Sequence, residues 1–113
     1  MKRNLIKIPI YNANIEIFKG KIDELNEEMK KMGLDEMEPS CDSRTVWHEE
    51  RNRFRIYWRE DADFKLGILA HECKHLVDFI FRARGIDLDI VNDEPECYLL
   101  GFIVDKVNNV LTK

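Results

Sequence analysis

No stretch of this 113-residue chain approaches the ~18 consecutive apolar residues that a membrane-spanning helix needs. Cysteine is scarce and odd in number. Cys41, Cys73 and Cys97 stand far apart with no Cys-x-x-Cys pair, which predicts free thiols in a reducing cytoplasm. The opening Met1-Lys2-Arg3-Asn4-Leu5-Ile6-Lys7 is basic but has no long apolar stretch or small-residue cleavage site, so it does not read as a signal peptide. Positive charge is not in excess: 18 Lys and Arg against 22 Asp and Glu leave a net charge of −4, which argues against bulk binding to nucleic acid or anionic membrane. Repeats, low-complexity tracts and linkers are also missing, so residues 1–113 are expected to form one domain with one modest core. The 44% hydrophobic and 35% charged residues fit a soluble globular protein. Histidine is the last scarcity. There are three, and two of them lie within five residues of each other.

The local patterns predict an α+β fold. Leu5–Ile10 and Ile15–Phe18 alternate and are rich in β-branched residues, so both are expected to be extended, with Pro9 suiting an edge. Lys21–Met32 carries Ile22, Leu25, Met29 and Met32 at helical spacing, with Gly33 as a stop, and Asp35–Asp42 reads as a loop. Thr45–His48 and Arg51–Glu60 are expected as two strands joined by a turn at Glu49–Asn52. In the second, Phe54, Ile56 and Trp58 point one way and Arg53, Arg55, Tyr57 and Arg59 the other. The arginine row reads as a solvated, charge-guarded strand face, with a grip on an acidic partner as the alternative. A helix over 64–84 is expected next, capped by Asp61 or Asp63 and stopped by Gly85. A final helix is expected from Asn92 or Asp93 to about Val110. Pro95 would sit in its first turn and Asp93 with Glu96 would form a capping box. Cys97, Leu100, Gly101, Val104 and Val107 are its expected inward stripe.

The most specific signal is His71-Glu72-Cys73-Lys74-His75, a His-Glu-x-x-His motif inside the helix over 64–84. Residues four apart on a helix stack on one face, so two imidazole nitrogens can reach one zinc ion at ~2.0–2.1 Å. Glu72 follows the first ligand and can act as general base. The plainer reading, ordinary surface or core histidines beside a solvated Glu–Lys pair, fits less well. Leu66–Ala70 and Leu76–Phe81 make this a largely buried helix, and burying two unpaired imidazoles is costly.

Two histidines do not complete a catalytic zinc site; a third protein ligand is expected, with water in the fourth position. Glu94 opens the final helix one turn before Cys97, on the expected inward stripe. Glu96 leans towards Leu99, Leu100 and Ile103 and already has a capping role. Asp78 shares the face of both histidines and serves as a ligand or orients one of their imidazoles. Cys73 points about 200° away from His71 around the helix, and Cys97 reads as a small core residue. Tyr98, one turn beyond Glu94, and more weakly His48 are candidates to donate to an oxyanion. As plain alternatives, Tyr98 is a core aromatic and His48 a surface residue.

His71 to Asp78 followed by Asn92-Asp93-Glu94-Pro95-Glu96-Cys97-Tyr98-Leu99-Leu100-Gly101-Phe102 resembles small zincin-like metallopeptidase proteins of the kind phages encode. It is similar to the gluzincin pattern, in which a glutamate on a downstream helix is the third ligand. The resemblance covers the C-terminal half of the chain. It implies a minimal zincin-like fold, with a small, mostly antiparallel sheet packed on the motif helix (61–85) and a third-ligand helix (92–110). Residues 1–60 would supply the strands and one helix, and an edge strand would flank the substrate cleft. It also implies Zn2+ held by His71, His75 and Glu94, Glu72 as base, and a peptide or protein substrate in the cytoplasm, of the host if a phage encodes the chain. A zinc-stabilised, non-catalytic protein that docks on a partner is the alternative.

Overall fold

The computed structural model describes all residues from Met1 to Lys113 and shows an α+β architecture. The elements are β1 (Lys2–Ile8), β2 (Ala13–Gly20), α1 (Ile22–Lys31), β3 (Ser43–His48), a short 3-10 turn (Glu49–Arg51), β4 (Arg53–Arg59), α2 (Leu66–Ala83) and α3 (Glu94–Leu111). The sheet is mixed, in the order β1-β2-β4-β3. β1 pairs with β2 and β3 with β4 antiparallel, while β2 and β4 run parallel across the crossover through α1 and β3. β1 and β3 are the edges, and Pro9 lies just past the end of β1, where a missing N–H costs no ladder bond.

Strand alternation decides which side chains meet the motif helix. Phe54, Ile56 and Trp58 of β4 share a core with Ile15 and Ile17 of β2 and with Leu69, Cys73, Leu76, Val77 and Ile80 of α2. The register places Ser43 opposite Trp58, Thr45 opposite Ile56 and Trp47 opposite Phe54. Residues paired across a ladder lie on the same face of the sheet, so Ser43, Thr45 and Trp47 face α2. The opposite face packs under α1, where Phe18, Leu25, Met29, Met37, Val46 and Tyr57 form a second, smaller cluster.

That second layer corrects the reading of the arginine row. Arg55 and Glu16 are each only 5% exposed, and Tyr57 is fully buried. Glu16 Oε1 accepts from Arg55 Nε at 3.1 Å and from Arg53 Nη1 at 3.4 Å, while Arg3 pairs with Oε2. Arg55 is therefore a covered ion pair and not part of a solvated face, whereas the exposed Arg53 reaches the same carboxylate from the rim and Arg59 pairs with Asp61. Burial alone would raise the Glu16 carboxyl, but the Arg3 and Arg55 guanidiniums outweigh it and hold the group below its ordinary value. Burial raises the Tyr57 phenol against the opposing pull of Arg55.

Helix ends differ from expectation at their starts. Lys65 is the N-cap of α2 with no side-chain hydrogen bond, and Asp61 instead pairs with Arg59 at 3.1 Å. Asp93 is the N-cap of α3, again without a side-chain bond, so the expected capping box with Glu96 is absent. The C-terminus of α2 is as expected. Gly85 takes φ 69°, and the Gly85 and Ile86 amides donate to the carbonyls of Arg82 at 3.2 Å and Phe81 at 2.8 Å, the bond pair of a glycine-terminated helix. The inward stripe of α3 is also shifted. Leu99, Ile103, Val107 and Leu111 are buried, whereas Cys97 and Gly101 are exposed.

Candidate metal centre

On α2 the buried positions are Leu69, Glu72, Cys73, Leu76, Val77, Ile80 and Phe81, an unbroken stripe at three- and four-residue spacing. One member is a carboxylate. Glu72 is 4% exposed and turns in beneath β3. Ser43 Oγ donates to Glu72 Oε2 at 2.6 Å, and Thr45 Oγ1 lies 3.2 Å from Oε1 and 3.3 Å from the Glu72 carbonyl oxygen. Both carboxylate oxygens thus have hydroxyl partners, as a buried acid requires.

His71 and His75 sit beside this stripe and are exposed, unlike the buried imidazoles expected from the apolar flanks. The apolar flanks are one-sided: they bury Glu72 and leave the histidines at the mouth of a cleft. The two Nε2 atoms face each other at 3.1 Å, with the rings edge to face at 4.7 Å between centroids. Two nitrogens bound to one tetrahedral zinc at ~2.05 Å each would stand ~3.3 Å apart, so the pair is close to chelating distance. Donor atoms of His71, Glu72 and His75 all lie within 4.8 Å of one another. The imidazole–carboxylate donor set and the nitrogen separation fit a borderline cation such as zinc.

The cleft at the histidines has a volume of about 480 Å³ and is lined by Asp42, Ser43, Arg44, Thr45, Gly67, Ile68 and the three motif residues. One wall is β3, whose outer edge is unpaired. The hydroxyl pair Ser43 and Thr45 belongs to no sequence motif. The signal was there, since stepping back by twos from inward-facing Trp47 gives Thr45 and Ser43, but which strand meets Glu72 depends on tertiary packing.

The other candidates are dispersed. Glu96 is half-buried and pairs with Lys74 of α2, and Asp78 Oδ1 accepts from the same Lys74 Nζ at 2.5 Å. Burial opposes charge on Lys74, yet the bonds to Asp78 and Glu96 prevail and raise it above its ordinary value. Glu94 is exposed at the first turn of α3, outside the buried stripe on which it was expected, and has no ion pair. It is not among the donors grouped at the histidines. Tyr98 is 74% exposed and lines a separate apolar groove with Ile8, Ile10 and Phe102, so it does not face the cleft. His48 follows Val46 onto the α1 side of the sheet and is not in the cleft lining. Cys73 is buried in the core, its thiol pushed up to about 12 mainly by desolvation, which suits packing better than thiolate ligation. Cys97 is exposed.

The chain matches no protein family model, no curated protein and no solved structure. No helix is long and apolar enough to cross a membrane.

Proposed function

We propose that this protein is a zinc-dependent hydrolase of peptide or amide bonds, similar to the small zincin-like metallopeptidases that phages encode and acting in the cytoplasm. The observation that carries the reading is the arrangement of His71, Glu72 and His75. Two imidazole nitrogens stand 3.1 Å apart at the mouth of a cleft, and a buried, hydrogen-bonded carboxylate lies beside them. His71 and His75 would hold the ion. Glu94 is the favoured third ligand because it alone of the three acids is unpaired, whereas Glu96 and Asp78 would have to abandon Lys74. Bound zinc supplies Lewis-acid polarisation of a carbonyl and a water whose pKa falls towards ~7. Glu72 takes the proton of the attacking water and delivers it to the leaving amine. The unpaired edge of β3 offers an extended substrate backbone its free N–H and C=O groups.

The reading is tested with zinc-loaded protein and a peptide library. Wild type should cleave in a zinc-dependent way, and Glu72→Gln should keep its zinc and lose ~10²–10⁴-fold in rate. Wild-type turnover in Glu72→Gln would remove the mechanism. A second reading, a zinc-stabilised binding protein, is favoured by the exposed apolar groove at Ile10, Tyr98 and Phe102. It takes precedence if zinc binds and no peptide in the library is cleaved.

A further inference from the structure

We infer that Ser43 and Thr45 are positioning residues that keep Glu72 off the metal, and so decide that it serves as base instead of ligand. The inference rests on the zinc reading above. Its starting point is that Glu72 stands near enough to be a ligand itself: its carboxylate lies within the 4.8 Å group that contains both imidazoles. Carboxylate oxygens are good zinc ligands, and a cation beside two histidines would attract the nearest one. In this chain neither oxygen is free. Ser43 Oγ donates to Oε2 at 2.6 Å, and Thr45 Oγ1 stands 3.2 Å from Oε1. Moving onto the ion would strip a 4% exposed carboxylate of both partners and leave two half-buried hydroxyls facing an apolar helix stripe.

The two hydroxyls act together because of strand geometry. Ser43 and Thr45 are two apart on β3, so both project to the α2 side of the sheet and reach the two oxygens of one carboxylate. Arg44 between them faces the other way and bonds the Asp35 carbonyl at 2.7 Å, which ties the strand to the loop after α1. A base held by an edge strand is also coupled to the substrate that would lie along that strand.

The test uses metal affinity and cobalt spectroscopy of the whole protein, with hydrolysis not required. Zinc affinity by chelator competition and the visible spectrum of the Co2+-substituted protein are measured for wild type, Ser43→Ala, Ser43→Ala/Thr45→Val, and the double variant with Glu72→Gln. Release of Glu72 would add a carboxylate to the ion's ligands and should tighten zinc by roughly tenfold. It should also shift the Co2+ spectrum towards higher coordination, and adding Glu72→Gln should reverse both effects. Ser43→Ala alone, which removes the shorter bond, should move both readouts the same way, and Ser43→Thr, which keeps the hydroxyl, should restore them. Wild-type affinity and spectrum in Ser43→Ala and in the double variant would overturn the inference, as would changes that persist with Glu72→Gln. Failure of wild type to bind zinc or cobalt would instead overturn the metal reading on which it rests.

Discussion

Lys74 on α2 pairs with Glu96 on α3, an ion pair that bridges the two long helices beside the histidines. It takes Glu96 and, through the same ammonium, Asp78 out of contention for the metal unless the pair breaks. The side chains are partly solvent-exposed, 41% for Lys74 and 20% for Glu96, so screening keeps the interaction small. A double-mutant cycle with Lys74→Ala and Glu96→Ala should give a coupling of ~0.5–1 kcal/mol in urea unfolding. No coupling would mean that the helices are held by Leu99, Ile103 and Val107 alone.

The third ligand is separated from its rivals by affinity. Glu94→Gln should weaken zinc binding ~10–100-fold or more, while Glu96→Gln should change it little. The opposite order would show that Lys74 gives Glu96 to the ion and that α3 sits at the metal in the orientation it already has.

The buried Glu16 gives the fold a signed pH dependence. Its folded-state carboxyl lies below the ordinary value of 4.5, so its contribution is present in full above that value and is lost as pH falls through the lower, folded value. Glu16→Gln leaves Arg55, 5% exposed, without its counter-charge and should cost about 3 kcal/mol at neutral pH. Unfolding at pH 7, 5 and 3 checks this: the deficit should hold from pH 7 to 5 and shrink at pH 3. A deficit unchanged at pH 3 would contradict the ion-pair account.

Metal removal should lower stability. At free zinc of about 100 times the dissociation constant, binding to the folded state alone adds ~2.7 kcal/mol, which for a domain of this size is several degrees in Tm. Thermal unfolding with and without chelator measures it. An unchanged midpoint, with zinc shown to be gone, would rule out a site built by folding.

Much of the fold follows from local sequence pattern. The alternation of Phe54, Ile56 and Trp58, the helical spacing of Leu25 and Met29, and the Gly85 stop all report short-range rules that tertiary structure did not override. Three features were hidden for physical reasons. Arg55 reads as solvated because nothing local says that this strand face will be covered or that Glu16 will come alongside through a parallel β2–β4 pairing. The face of α3 was ambiguous because Leu99, Leu100, Phe102, Ile103, Val104, Val107, Val110 and Leu111 surround most of the helix with apolar groups. Packing against α2 and the sheet selects Leu99, Ile103, Val107 and Leu111. Expected caps failed where an acid had a stronger partner, as Asp61 has in Arg59 and Glu96 in Lys74. At the site, the motif named its own three residues, but the hydroxyl partners of Glu72 come from a strand almost thirty residues earlier and depend on which edge of the sheet the helix crosses.

The proposed function stands or falls with one zinc ion held jointly by His71 and His75. Elemental analysis of purified wild type, His71→Ala and His75→Ala, each checked for folding by circular dichroism, tests it most directly. About one zinc per wild-type chain is expected and close to none in either variant, because each removes one of the two nitrogens that face each other at 3.1 Å. Equal zinc in wild type and a folded His75→Ala variant would contradict it.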